Sequence, residues 1–467
     1  MTIASENLED FKIMLDGIND FANKCRDPES ALDTAKSMGM DILRYQIAPS
    51  NGFYERHKEL DKKILDSLRH GNLNIQRKGY LALCRIVDRT LYKSKPPIRN
   101  KIAFSTLSKR VVDLFLLEMA VHKKTMNQSL ADSIINKSRN NILKELAPTT
   151  HFYPCIITDD KVSDEFNFGP VTFYTKDRFL ENYEHEFRTD ENNKLHTKAL
   201  EYYSQFPWIA KVFVPQVEIE KSRQMSKQAV IYALSVIKLI LEPHAGKRIK
   251  LCGGTENPYM AEFKILNDQP YAMITSTAKY ISADDKLSNI LHENLDRISN
   301  LSGQLLSFFL SGEEVALIYQ RLLNSIWWFG DAVSEISESA KIVKYVNAIE
   351  AIVITDDNKT TAQFNNRVLG LVTPVREYLF DDTMKLDKKI SKLYDLRSKL
   401  VHGRKSPIDT KLAENIFFAH DLASKVIISS FYWTSMIAEK DHNMTIKSIH
   451  KEFENSLEEF VRKCASS

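Results

Sequence analysis

An arginine and a histidine near the end of one predicted helix are the residues best suited to chemistry. Arg397 falls near the centre of an apolar stripe that the helical period predicts. The stripe consists of Leu386, Ile390, Leu393, Tyr394, Leu400 and Val401. Because an unpaired guanidinium is costly there, Arg397 needs an anionic partner, a dimer interface or a ligand. His402 follows where Gly403 can end the helix, so Arg397 offers a fixed cation and His402 offers an imidazole, the side chain most often used for proton transfer.

The residues around this pair resemble the Apea-like branch of the HEPN superfamily. An arginine, a polar residue, three further residues and His-Gly are similar to the superfamily's arginine and histidine signature. Tyr394, Asp395 and Leu396 precede the signature as they do in the Apea-like branch. Upstream, residues 346–352 resemble the acidic helix of that branch, and Arg367 lies in a segment similar to the helix between them. The resemblance covers about the last third of the chain.

The resemblance implies a metal-independent endoribonuclease that acts as a homodimer on RNA and uses no cofactor. In such enzymes two chains bring arginine and histidine together over one phosphate, which the neighbouring 2′-hydroxyl attacks. By position, His402 would be the acid–base group, Arg397 the phosphate clamp and Ser398 a supporting hydrogen-bond partner. The family also implies a setting in anti-phage defence, with the N-terminal domains as sensor or regulator.

A purely structural role explains the same residues. Arg397 would pair with the buried carboxylate of Glu350, since Asp395 lies on another face, and His402 would cap the last helical carbonyls. Glu350 supports the site in either case, because it can orient an arginine that still reaches a phosphate. On this interpretation the chain is a non-catalytic dimerisation module, or one that binds nucleotides or RNA without cutting.

Basic residues extend the candidate site. Lys385, Lys388, Lys392 and Lys399 lie away from the apolar stripe, and Arg404 and Lys405 follow Gly403. We expect Lys399, Arg404 and Lys405 to contact RNA, because they are nearest to His402 and a phosphate backbone attracts such a group. Lysines opposite an apolar face are also common as a simple solvated surface.

Composition limits the possible classes. The chain has 467 residues, enough for two or three domains, and a net charge of +3, so a nucleic-acid surface must be local. Its five cysteines are scattered without a C-x-x-C pair, which predicts a reducing cytoplasm. No segment approaches the apolar run of a membrane span, and the N-terminus does not resemble a secretory signal.

Hydrophobic periodicity predicts a mostly α protein with three domains: a helical scaffold over 1–147, an α+β domain over 148–285 and an all-α HEPN-like bundle over 286–467. N-terminal helices are expected over 72–92 and 104–122, among others. Strands are expected over 153–158, 171–174, 210–217, 249–251 and 261–266, interrupted by one helix over 222–241. C-terminal helices are expected over 313–329, 338–354, 361–380, 385–402, 409–437 and 445–463.

Other candidate motifs are weaker. The segment from His292 to Asp296 lacks the second histidine of a zinc-protease helix, so no metal site is predicted. We expect His420 to be a satisfied core histidine. Trp327, Trp328 and Phe329 are expected in the core or at a dimer interface.

Overall fold

The structure divides into two compact units. The computed structural model describes residues 3–24, 45–47, 73–75, 77–93, 98–122, 124–157, 164–188, 194–241, 243–252, 259–266, 269–276, 295–311, 317–355, 360–372, 383–407 and 412–440, with short helical pieces between 451 and 459. The first unit comprises Met1–Thr149 and Pro215–Gln224, and the second comprises Thr150–Val214 and Met225–Ser467. The predicted border between a middle and a C-terminal domain at residue 286 stays a prediction.

The first unit is mainly helical. Its helices are α1 (Ile3–Lys24), α2 (Arg77–Lys93), α3 (Phe104–Leu116), which continues into a π-helical turn (Leu117–Val121), and α4 (Gln128–Lys144). Helix α1 packs on α2 and α4, and Phe11 stacks on Phe115 with 5.8 Å between ring centroids. Two short antiparallel strands, β1 (Tyr45–Ile47) and β2 (Leu73–Ile75), also belong to this unit. The prediction of helix from residue 72 was therefore wrong over 73–75, where apolar and polar residues alternate with the period of a strand.

A five-stranded sheet forms the centre of the chain, in the order β4-β5-β6-β3-β7. Its strands are β3 (Ala147–Ile156), β4 (Glu165–Phe168), β5 (Val171–Thr175), β6 (Trp208–Val217) and β7 (Lys250–Leu251). The pairs β4–β5, β5–β6 and β3–β7 are antiparallel. A separate antiparallel hairpin consists of β8 (Tyr259–Leu266) and β9 (Gln269–Ser276). The α+β character predicted for the middle of the chain is confirmed.

The helices of this central region outnumber the one predicted. They are α5 (Lys176–Arg188), α6 (Lys194–Tyr203), α7 (Ile219–Ile240) and α8 (Pro243–Gly246). Helices α5 and α6 bury only a short, largely aromatic face, in which Phe179 and Leu200 pack against Tyr174 and Ile209. Because α5 is otherwise charged, its apolar period is too brief to be recognised in the sequence. The expectation of a single helix was therefore wrong.

Within the described ranges, six helices form the C-terminal bundle: α9 (Leu295–Ser311), α10 (Leu317–Ser334), α11 (Glu338–Val353), α12 (Thr360–Val372), α13 (Thr383–Val401) and α14 (Ala413–Lys440). Helix α11 packs against α10, α12, α13 and α14, so it is the central helix of the bundle. Its side chains Tyr345, Val346 and Ile349 are buried. The mostly α fold class is confirmed. None of the helices in the described ranges has the length and apolar content that crossing a membrane requires.

Lys238 is a buried cation inside the second unit. It lies on α7 with 7% of its surface exposed, and its Nζ donates to the carbonyl of Gly330 at 3.3 Å and to Ser334 Oγ at 2.6 Å, both on α10. Burial lowers the pKa of Lys238 to about 8, although the carboxylate of Asp331 acts in the opposite direction. The ammonium therefore links two helices at an electrostatic cost.

We expect Lys238→Met to stabilise the fold at neutral pH. The unfolded chain binds this proton more tightly than the folded chain, so the penalty is fully present below pH 8 and vanishes as pH rises through the unfolded pKa. The pKa shift corresponds to a destabilisation of the parent protein by about 3 kcal/mol. Because Lys238→Met also loses two hydrogen bonds, its net gain in the free energy of unfolding should be smaller than this value. Urea unfolding of both proteins at pH 7 and pH 10 measures the difference, which should shrink at pH 10. If the stability difference between Lys238→Met and the parent does not change with pH, the buried ammonium of Lys238 does not destabilise the folded protein.

Candidate functional site

Helix α13 presents the candidate residues on a partly buried face. Leu386, Ile390 and Leu393 are buried, as the apolar stripe predicts, whereas Val401 is 50% exposed. The expectation that the stripe continues to Val401 was wrong, because the last turn of the helix lies at the surface. The fully buried part of α13 ends about two turns before the helix does. Arg397 lies between these two regions.

Arg397 is held by two side chains of α11. Its Nη2 donates to Glu350 Oε2 at 2.6 Å and to Asn347 Oδ1 at 3.2 Å. Asn347 and Glu350 are three residues apart, so they share one face of α11. Arg397 and Glu350 are 24% and 18% exposed, which makes this a sheltered ion pair that solvent can still reach. Glu350 is the partner that the sequence suggested, whereas Asn347 was not singled out.

The guanidinium of Arg397 is not saturated by these contacts. Its Nε is buried and has no hydrogen-bond partner among the described residues. A buried donor without an acceptor costs about 1–3 kcal/mol. Because the side chain as a whole is 24% exposed, a ligand oxygen can still approach the part of the guanidinium that solvent reaches, since arginine donates from several nitrogens in one plane.

Tyr394 completes the polar cluster around Glu350. Its ring stacks on Phe364 of α12, with centroids 4.4 Å apart and an interplanar angle of 29°. Burial raises the pKa of Tyr394; a hydrogen bond with Thr360 acts against that shift, and the carboxylate of Glu350 reinforces it. Glu350 therefore has both a phenol and a guanidinium beside it. Sequence analysis noted Tyr394 only as a motif and stripe residue.

The backbone ends α13 at His402. Gly403 has φ +67°, the left-handed conformation that glycine adopts readily. The amides of His402, Gly403 and Arg404 donate to the carbonyls of Ser398, Leu400 and Lys399 at 3.1, 3.2 and 2.8 Å. These bonds form the six-residue closing turn of many helices. The imidazole of His402 is exposed, and backbone amides occupy the carbonyls that the structural interpretation assigned to it.

Arg397 and His402 point in different directions around the axis of α13. Five residues at about 100° each place the two side chains roughly 140° apart around the helix axis. Arg397 faces α11, whereas His402 is exposed at the end of α13.

The predicted RNA contacts Lys399, Arg404 and Lys405 lie at or just after the end of α13, and they differ in exposure and in partners. Lys399 Nζ is 2.6 Å from Asp395 Oδ2, and both side chains are at least half exposed. Surface pairs of this kind contribute little and are easily broken. Arg404 is exposed, and Ser398 and Lys405 are half-buried. The exposed guanidinium nearest to His402 is thus Arg404.

No group of three or more metal-binding side chains is assembled within the ranges that the structure describes. The weak zinc-protease motif begins at His292, which lies outside the described residues, as do Glu293 and Asn294.

Three aromatic residues of α10 were expected in the core or at a dimer interface, and they differ in burial. Phe329 is buried, whereas Trp327 and Trp328 are partly exposed with their rings 4.8 Å apart.

Breaking the ion pair of Arg397 should cost far more than breaking the surface pair of Lys399. Glu350→Gln leaves a sheltered guanidinium without its carboxylate, and we expect the free energy of unfolding to fall by about 1–3 kcal/mol. Lys399→Ala is the matched control on the same helix and should cost less than about 1 kcal/mol. Urea unfolding monitored by circular dichroism compares them. Equal losses for the two variants would mean that the pair does not hold α13 to α11.

Comparison with known proteins leaves this site to be interpreted from its own geometry. No family model, no curated protein and no solved structure matches the chain.

Proposed function

We propose that this protein is a metal-independent endoribonuclease of the HEPN type, active in the cytoplasm as a homodimer. The observation that carries the proposal is the state of Arg397, which Glu350 and Asn347 hold in place while its Nε lacks an acceptor. His402 stands exposed five residues later, where a ligand can reach it. Roles in anti-phage defence, and as sensor or regulator for the N-terminal part, extend this proposal.

The chemistry needs only a proton carrier and a fixed cation. In RNA strand scission the 2′-oxygen bonds to the adjacent phosphorus while the bond to the 5′-oxygen breaks. The proton that leaves the 2′-hydroxyl is balanced by one that arrives at the 5′-oxygen, which leaves a 2′,3′-cyclic phosphate and a 5′-hydroxyl. Histidine suits the proton transfer because its pKa is ordinarily near neutral. Arginine suits the extra negative charge of the phosphorane because it stays protonated.

A two-chain site reconciles the positions of the catalytic candidates. Because Arg397 and His402 diverge around the axis of α13, the arginine of one copy and the histidine of the other are the pair that a shared phosphate would join. The exposed end of α13 is available for such pairing, since Val401 and His402 lie at the surface. Lys399, Arg404 and Lys405 would then flank the phosphate backbone on either side, with Ser398 as the supporting polar group.

A non-catalytic module is the second candidate, and one contact favours it. The bond from Arg397 to Glu350 already gives the guanidinium an anionic partner, so the residue has a structural use without any ligand. In that case the bundle would dimerise, or would bind RNA or nucleotides without cutting. The two candidates differ in whether RNA is cleaved.

Replacing His402 by alanine should abolish cleavage and leave the fold intact. We expect the full-length protein to cut total RNA in the presence of EDTA and to leave cyclic phosphate ends. His402→Ala should cut at least about 100-fold more slowly, since acid–base groups contribute factors of that order. Its thermal unfolding should match that of the parent, because the side chain is exposed.

Lys227→Ala supplies the control for the loss of a side chain and for sample handling. Lys227 is an exposed lysine on α7, outside the candidate site, and its removal should leave the rate within about twofold. A folded His402→Ala protein that cuts as fast as the parent would refute the catalytic role. Parent protein that binds RNA and leaves every strand whole would favour the non-catalytic module.

A further inference from the structure

The second unit contains a cavity that is separate from the candidate ribonuclease site. It encloses about 690 Å³ between the end of α7, α8, α10, α11 and the start of α14. Its apolar wall consists of Leu239, Leu241, Val333, Tyr345, Ile416 and Phe417. Cavities of this size usually accommodate small organic ligands. Neither Arg397 nor His402 is among the lining residues.

His420 provides an unpaired polar atom in this cavity. The side chain lines the cavity and is 7% exposed, and its Nε2 is buried without a partner among the described residues. Its ring lies 5.1 Å from that of Phe329 and 5.4 Å from that of Tyr345, which fix its orientation. The expectation of a satisfied core histidine was therefore wrong in one respect: His420 is buried but not satisfied. Burial lowers the pKa of His420 to about 4, so the ring is neutral at pH 7.

Two lysines give the cavity a positive side. Lys341 and Lys247 line it, and neither forms an ion pair within the part of the chain that the structure describes. Lys341 lies one helical turn from Tyr345 on α11, hence on the same face. Burial lowers the pKa of Lys341, and repulsion from Lys247 adds to the shift, although Glu338 and Glu335 act against it. Lys247 and Lys341 thus both contribute positive charge to the lining of this cavity.

Neighbouring charges do not neutralise these lysines directly. Lys344, on the same helix, is 2.7 Å from Asp331 and 2.5 Å from Glu335. The carboxylate of Asp421 lines the cavity, but it is 2.8 Å from Lys425. Asp331 and Glu335 thus share Lys344, Asp421 pairs with Lys425, and Glu338 acts on Lys341 only at a distance, so Lys247 and Lys341 can still attract an anion from solution.

We infer that this cavity binds a small organic anion whose flat apolar body carries one hydrogen-bonding nitrogen or oxygen. The anionic group would lie between Lys247 and Lys341, the apolar body against the aliphatic wall, and the polar atom against Nε2 of His420. A plain fatty acid would leave His420 unpaired, and an inorganic ion would leave the apolar wall uncovered. Phe417, which lines the cavity and is 70% exposed, offers a ring face at the opening.

Calorimetric titration with 1-anilinonaphthalene-8-sulfonate tests this inference, because that probe combines fused rings, an N–H group and a sulfonate. The full-length protein should bind one molecule per chain at pH 7. The double variant Lys247→Met/Lys341→Met should bind it at least about tenfold more weakly, equivalent to about 1.4 kcal/mol. The uncharged analogue N-phenyl-1-naphthylamine should lose less than about threefold, since it has no anionic group for the lysines.

Two further variants make the test specific. His420→Phe should weaken both probes, because it removes the imidazole nitrogen that would pair with the N–H group that both probes carry. Lys392→Met, an exposed lysine on α13, should change neither. Unchanged sulfonate affinity in the double lysine variant, or several equal dye molecules per chain, would mean an adventitious additive only and would overturn the proposal. If His420→Phe fails to fold, the double lysine variant still decides the question, since Lys247 is exposed and Lys341 half-buried.

Discussion

The ion pair between Arg397 and Glu350 is the constraint on which the candidate site depends. A charge sheltered between helices must have a partner, and the carboxylate of Glu350 supplies it at 2.6 Å. Because Arg397 is on α13 and Glu350 on α11, the pair also fixes how one helix lies on the other. The position of His402 follows, since the last turn of α13 and the closing bonds around Gly403 present it to solvent. Catalytic and structural interpretations therefore share the same contact.

Both ends of α11, the helix that carries Glu350, are held by hydrogen bonds from or to side chains. Ser337 accepts a hydrogen bond from the amide of Ala340 at the start of the helix. At the other end, Arg321 donates to the carbonyl of Ile354 at 2.7 Å, and Arg367 donates to the carbonyl of Val353. These guanidinium groups satisfy carbonyls that a helix C-terminus leaves open and interact favourably with its negative end. The same helix also carries Lys341 and Tyr345, which line the separate cavity.

The long periodic helices were predictable, and the finer polar geometry was not. Helix α11 was expected over 338–354 and spans Glu338–Val353, because its apolar residues recur over four turns. Helix α5 was missed because its buried face is short and aromatic. Glu350 could be proposed from the need of Arg397 for an anion, but Asn347 could not, since no charge rule requires it. The unpaired Nε2 of His420 was also beyond prediction, because it depends on how several helices surround one ring.

In the proposed dimer, Arg397 of one copy and His402 of the other act on the same phosphate. Co-purification of a mixed dimer through two different tags tests it directly, with Arg397→Gln in one chain and His402→Ala in the other. No single chain of that dimer has both residues, yet one arginine and one histidine remain across the interface. If the two residues act across the interface, the mixed dimer should cleave RNA, whereas a homodimer of either variant should not. A folded mixed dimer as inactive as both variants, beside an active parent dimer, would contradict it.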